Sequence, residues 1–312
     1  MNHDETKRKY LSEFGLNTYS NRSLLIYPSE LDHVEKDVPF HIYMVLQVNK
    51  IVFKKNSLIK SDDGLHFSIL IVNETNTVEE QYFLPFKEIE IFNSDYEYHL
   101  DASLRYLCFN DIKISVLPFF MTLSSYKVEA KVLYVGQSYG EGGERKAPDR
   151  LKKHSTLQQI LADHTFHNEN DDVMVMLHEI TPMLLASFDP SVAVHEDEQQ
   201  HQEAILNNPP LILEKQILNA TEAAWIKYFK PKYNEKFKEI FPSPKHEVYK
   251  RFYIEDYNLI GIEINVSEYN NLLLYSDSVS KADYHEARYP LQSLEVRRDM
   301  FDLSNFLSQK KN

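Results

Sequence analysis

The chain is short of the residues that staple or loosen a small fold. Its 312 residues include one cysteine and seven glycines. A lone cysteine, Cys108, excludes an intrachain disulfide framework. Within the run Leu104-Arg-Tyr-Leu-Cys-Phe109 it is expected to be a small core residue. No run approaches the ~18 apolar residues of a membrane span, and Met1 to Lys9 is polar and leads into no apolar segment. These absences point to a soluble protein of a reducing, cytoplasmic compartment with no membrane partner. Positive charge is also scarce: 34 Lys and Arg stand against 47 Asp and Glu, a formal net charge of −13. A mean field of that sign repels phosphate, which excludes a protein that coats nucleic acid non-specifically. Any nucleic-acid site has to be a local basic patch.

Apolar residues make up 43% of the chain, enough for a substantial core. From Leu24 to about Leu117 the pattern is strand-like, as in Phe40–Val48, Leu65–Val72 and Ile112–Leu117. From about Phe119 to Lys245 strand-like and helical segments alternate: Val132–Val135, Ala147–His164, Val173–His178 and Leu211–Phe229. The acidic run His195–Glu203 suits a solvated helix face or an insertion. Strand texture returns at His246–Ile254, Leu259–Ile264 and Leu272–Tyr275, and a helix is expected from about Leu291 to Leu307. The expected organisation is α+β: a β-rich domain over 1–117, a small α/β domain over 118–245, and a β-rich extension over 246–312 that ends in a helix.

Four of the seven glycines, Gly136, Gly140, Gly142 and Gly143, fall within eight positions. Glycine serves where the backbone needs positive φ or close approach, so the cluster marks a special loop. It follows the apolar run Val132–Val135 and precedes a helical stretch with Arg150 and His154 at i and i+4. A strand, a glycine loop and a cationic helix face form a plausible phosphate site. Downstream, Thr221-Glu-Ala-Ala-Trp-Ile-Lys-Tyr-Phe-Lys-Pro-Lys-Tyr-Asn234 places Glu222 early in an amphipathic helix that Pro231 stops.

Taken in order, Tyr134-Val-Gly136, Arg150-Leu-Lys-Lys-His154, Glu222 and the Pro-x-x-Asn ending at Asn234 resemble the GIY-YIG nuclease family over about residues 119–238. The resemblance implies a GIY-YIG-like α/β core that hydrolyses phosphodiesters as an endonuclease with one Mg²⁺ or Mn²⁺. It implies that Glu222 is the metal-binding carboxylate, Arg150 the residue that holds the scissile phosphate, and Tyr134 the tyrosine beside the attacking water. His154 then occupies the place of a second proton-handling group, and Asn234 that of an asparagine that orders the site. Members also carry a Gly-Ile-Tyr-like strand about ten residues before the second tyrosine motif. Here that region reads Pro118-Phe-Phe-Met-Thr-Leu-Ser-Ser-Tyr-Lys127, so Tyr126, or else Phe119 or Phe120, is the candidate for the position.

Charge around these motifs departs from the mean. Lys131 to Ile160 holds six Lys or Arg against three Asp or Glu, and Trp225 to Glu239 five lysines against two glutamates. Lys146, Lys152, Lys153, Lys227, Lys230 and Lys232 are therefore the expected contacts to nucleic acid, with DNA favoured over RNA. The β-rich flanks are candidates to select a substrate or a protein partner. A catalytically degenerate core that only binds nucleic acid or protein is the rival reading, and the altered Pro118–Lys127 segment is its support.

Overall fold

The computed structural model describes residues 8–34, 38–73, 76–88, 90–139, 147–151, 155–167 and 170–302. In chain order the elements are β1 (Ser12–Ile26), β2 (Phe40–Phe53), β3 (Ile59–Lys60), β4 (Gly64–Val72), β5 (Thr77–Pro85), β6 (Tyr98–Leu100), β7 (Tyr106–Phe109) and β8 (Ile112–Ser115). There follow α1 (Val116–Leu123), β9 (Val128–Gln137), α2 (Ala147–Leu151), α3 (Ser155–His167), β10 (Asp171–Phe188), α4 (Glu198–Leu206) and α5 (Lys215–Phe229). Last come α6 (Arg251–Ile254), β11 (Leu259–Asn265), β12 (Leu272–Ser276), β13 (Val279–Ala282) and β14 (Tyr284–Pro290). This is a mixed α+β fold. No helix among the described residues is long and apolar enough to cross a membrane.

One large sheet in the order β13-β12-β9-β2-β10-β1-β11-β14 organises the molecule, and β4 extends it from the far end of β2. Strands from all three expected stretches interleave in it. β2 lies between β9 and β10, and β1 between β10 and β11, so the sheet is not partitioned at residues 117 and 245. The separate hairpin sheet β6-β7-β8 stands apart from it.

The central strands are apolar on both faces because both are covered. Alternate residues of β2 and β10 enter different cores. Ile42, Met44, Met174 and Met176 join the one that includes α5, while Tyr43, Val45, Val175 and Leu177 join the one capped by Ala147, Leu151, Leu157 and Ile160 of α2 and α3. Trp225 of α5 is buried with its ring edge-on to that of His178, 4.9 Å between centroids. The His178 Nδ1 in turn meets the hydroxyls of Ser20 and Ser23. This anchor fixes α5 against the middle of the sheet.

Several local expectations change. Residues 118–127 do not form a strand: α1 occupies Val116–Leu123, with Pro118 tolerated in its first turn. Phe119 and Phe120 are buried in the core. His246–Ile254 is a 3₁₀ turn followed by α6, because Tyr249 and Phe252 at i and i+3 share one buried face. Within His195–Glu203, Glu198 and His201 of α4 are buried, and the Glu198 carboxylate accepts the backbone N–H groups of Leu11 and Ser12 at 2.9 and 3.0 Å. Cys108 is only half-buried, on the face of β7 opposite Leu107 and Phe109. Residues 291–302 form turns rather than a helix, and the rest of that expected helix lies outside the described residues.

Candidate active site

The site is built at the end of β9. Opposite Val45 and Leu46 of β2, the register steps from Tyr134 to Val132, so Leu133 is an extra residue. Such a bulge turns two consecutive side chains to one face. Leu133 and Tyr134 both pack on the core under α2 and α3. Directly across the ladder Tyr43 pairs with Gly136, and the Tyr43 and Tyr134 rings lie 6.1 Å apart. The need for glycine at 136 follows from these rings. A Cβ there would meet Tyr43 Cζ at 2.6 Å and Tyr134 Cε1 at 2.7 Å. Both rings are held by packing, so Gly136→Ala is expected to cost about 1–3 kcal/mol as an overpacking change, read as a lower denaturant midpoint at unchanged m-value.

α5 supplies the carboxylate. It ends at Lys230, which takes the left-handed conformation at φ 48°, and Pro231 prevents continuation. The chain then returns along the edge of β9 beyond the point where β12 pairs with it. Tyr233 N–H donates to Leu133 C=O at 3.0 Å. The Asn234 side chain accepts from Val135 N–H at 2.9 Å and donates to Val135 C=O at 2.8 Å. One buried amide thus stands in for a neighbouring strand and locks the turn after α5 to the bulged strand.

Tyr134, Gln137, Arg150, Glu222 and Asn234 line one open cleft of about 560 Å³. Arg150 is half-buried, and its Nη1 donates to the Gln137 carbonyl. Gln137 also hydrogen-bonds Glu222, and its Nε2 donates to Asn219 Oδ1 at 2.5 Å. Asn219 continues the chain by donating to the Val248 carbonyl at 2.9 Å. The glutamine is therefore the joint between the arginine and the carboxylate.

Desolvation dominates the electrostatics. Walled in beneath the cleft, the Glu222 carboxyl is pushed up to about 7 by burial, against the opposing pull of the Arg150 cation and the Gln137 hydrogen bonds. Tyr134 is raised by burial and then by the Glu222 charge, while Arg150 and the interaction with the Tyr43 hydroxyl pull it back. Tyr43, fully buried, is raised further by its burial and by Tyr134. The Glu222 shift has a consequence for stability. Between about 4.5 and 7 the folded chain holds a proton that the unfolded chain has released, so stability falls as pH rises through that window. At 1.36 kcal/mol per unit, reduced for the water that reaches a cleft-facing group, the loss is about 1–3 kcal/mol. Urea titrations in EDTA are expected to show it for the wild type and not for Glu222→Gln.

Among the described residues no three His, Cys, Asp or Glu side chains gather as a metal cluster. Among the described residues, Glu222 is the carboxylate beside Arg150 and Gln137, and Glu235 lines the cleft as well. One hard oxygen ligand suits Mg²⁺, which keeps several of its waters when it binds to protein. A carboxyl destabilised by burial is also one that a cation would return to its charged form.

Of the expected site residues, the fold brings Tyr134, Arg150, Glu222 and Asn234 together. Tyr126 is elsewhere, its hydroxyl accepting from Asn73 Nδ2 at 3.1 Å. His154, Lys146, Lys152 and Lys153 lie outside the described residues. Lys227 and Lys230 both reach Glu239, Lys227 donating to its carbonyl and Lys230 to its carboxylate, each at 2.9 Å. Lys232 sits over the Tyr233 ring, 5.1 Å from its centroid. Tyr43, which the sequence did not single out, packs beside Tyr134, a placement legible only once β2 was known to pair with β9. Comparison with protein-family models, curated proteins and solved structures found no match.

Proposed function

We propose that the protein is a metal-dependent endonuclease with a GIY-YIG-like core, hydrolysing phosphodiester bonds in DNA. The observation that carries this reading is that one cleft collects Tyr134, Arg150, Glu222 and Asn234, with Tyr43 packed behind Tyr134. His41-Ile42-Tyr43 then takes the role of the Gly-Ile-Tyr strand, beside Tyr134-Val135-Gly136 in antiparallel register. The segment expected to hold that role, 118–127, is a helix and the stretch after it.

Phosphodiester hydrolysis is slow because charge accumulates on the phosphoryl and leaving oxygens. Arg150, anchored through the Gln137 carbonyl, offers a fork to the phosphoryl oxygens. Tyr134 faces the cleft; once its own proton has passed to solvent, the phenolate, which the Arg150 cation and the Tyr43 hydroxyl favour, can take the proton of the attacking water. Gln137 orients the Glu222 carboxylate, and Asn234 keeps β9 and the turn after α5 in register. A Mg²⁺ or Mn²⁺ ion held by Glu222 supplies charge neutralisation at the phosphate when bound. His154 keeps the role that the resemblance implies, proton transfer near neutral pH.

The test is direct. The purified 312-residue chain is expected to cut plasmid or single-stranded DNA with Mg²⁺ or Mn²⁺ and to stop on EDTA addition. A folded preparation that cuts neither DNA nor RNA with either ion would sink the proposal.

A further inference from the structure

The segment after α5 lines a second open cavity, of about 700 Å³, beside the cleft. The two share Glu235, Lys236, Phe237 and Val248, so Phe237 and its neighbours form a partition with a cavity on either side. Ile240 and Val248 line the new cavity while 62% and 43% exposed, an unusual use of aliphatic side chains next to a polar site. Phe237 adopts φ 68°, which is costly for an aromatic residue, and its ring meets His246 edge-on at 5.2 Å. The charges in the wall are unequal in their commitments. Glu239 is taken by Lys230 and Glu247 by Lys250, each at 2.9 Å. Lys236 and Lys245 form no ion pair among the described residues, and neither does Glu235.

We propose that this cavity receives the base of the nucleotide next to the scissile phosphate, with Lys236 and Lys245 on that nucleotide's own phosphate. The inference rests on the nuclease reading and names a subsite of it. An apolar slot with an aromatic wall accepts a base face, and free ammonium groups at its rim accept phosphate. Continuity with the cleft sets the position: the cavity adjoins the cleft across the Phe237 partition.

Binding tests it without turnover. Glu222→Gln protein is titrated with fluorescein-labelled DNA, single-stranded and duplex, in which one abasic residue is scanned along the sequence. One position is expected to weaken binding about tenfold, as for the loss of one stacked base. Filling the cavity with Val248→Trp, or with Ile240→Trp should the first fail to fold, is expected to erase that step. A flat abasic profile overturns the inference, as does a step that both filled variants retain. Metal-dependent cleavage by the wild type, measured on the same oligonucleotides, separates the two failures: cleavage with a flat profile leaves the nuclease reading standing, and its absence removes both.

Discussion

Glu222→Gln is expected to abolish metal-dependent cleavage, lowering the single-turnover rate by about 10³-fold or more, equivalent to ~4 kcal/mol of transition-state stabilisation. The amide keeps the shape of the side chain and can still bond Gln137, but it offers no charged oxygen to a divalent ion. Among the described residues the other carboxylate lining the cleft is Glu235, at the Phe237 partition. Loss of fold is not the expected cause. A carboxyl pushed up to about 7 by burial is a strained choice for an inert site, and the neutral amide is expected to leave the protein as stable or more stable above pH 7. A variant that is stable, binds DNA and does not cut is therefore the predicted combination. A protein that only binds nucleic acid would give the same binding in both forms and no cleavage in either, and a variant that cuts at the wild-type rate would exclude Glu222 from the chemistry.

This pairing of high cost and central placement is what makes the carboxylate diagnostic. An exposed helix glutamate is free to the fold, whereas Glu222 is kept charged only against desolvation, and the groups that favour its charge are Arg150 and Gln137. The same two residues are joined through the Gln137 carbonyl. A change at Gln137 thus moves the arginine and the carboxylate together.

Much of this site was legible in the sequence, and the reason is locality. The bulged strand, the glycine at its end and the carboxylate helix with its Pro-x-x-Asn stop each occupy one short stretch, so spacing within the stretch carries the geometry. Asn234 was named through the resemblance, from the Pro-x-x-Asn after the helix, and the structure places it in a turn set by Pro231 and the left-handed Lys230. The companion tyrosine was hidden because its strand is not the neighbour in sequence. The resemblance put the first tyrosine motif about ten residues before the second, as for consecutive strands that pair, which holds often but not always. Here β3 to β8 and α1 intervene between β2 and β9. Nothing local distinguishes Phe40–Val48 from any other strand buried on both faces. For the same reason consecutive domains looked natural along the chain, while the sheet order joins β1, β2 and β11 to the strands that carry the site. At His246–Ile254 the failure was of another kind: a short aromatic run fits period 2 and period 3.6 equally well.

The tyrosines supply the last discriminating experiment. Tyr134→Phe is expected to lower the cleavage rate about 10²–10⁴-fold, the range for loss of a proton-transfer group. Tyr43→Phe is expected to cost less, about tenfold, as for one hydrogen bond of about 1–1.5 kcal/mol, because its hydroxyl acts on Tyr134 rather than on the water. Tyr126→Phe is expected to change nothing, since that hydroxyl meets Asn73 away from the cleft. The order follows from the environments. Tyr134 is half-buried and lines the cleft; burial and the Glu222 charge raise it, and Arg150 and Tyr43 oppose that rise in favour of its ionised form. Tyr43 is fully buried and raised further. The pH–rate profile separates a partner from a bystander. Removing the Tyr43 hydroxyl withdraws a stabiliser of the Tyr134 phenolate, so the rising limb is expected to move to higher pH in Tyr43→Phe, while a merely structural tyrosine would lower the rate at every pH without moving the limb. Full activity in Tyr134→Phe would remove the phenol from the mechanism and leave proton transfer to another group.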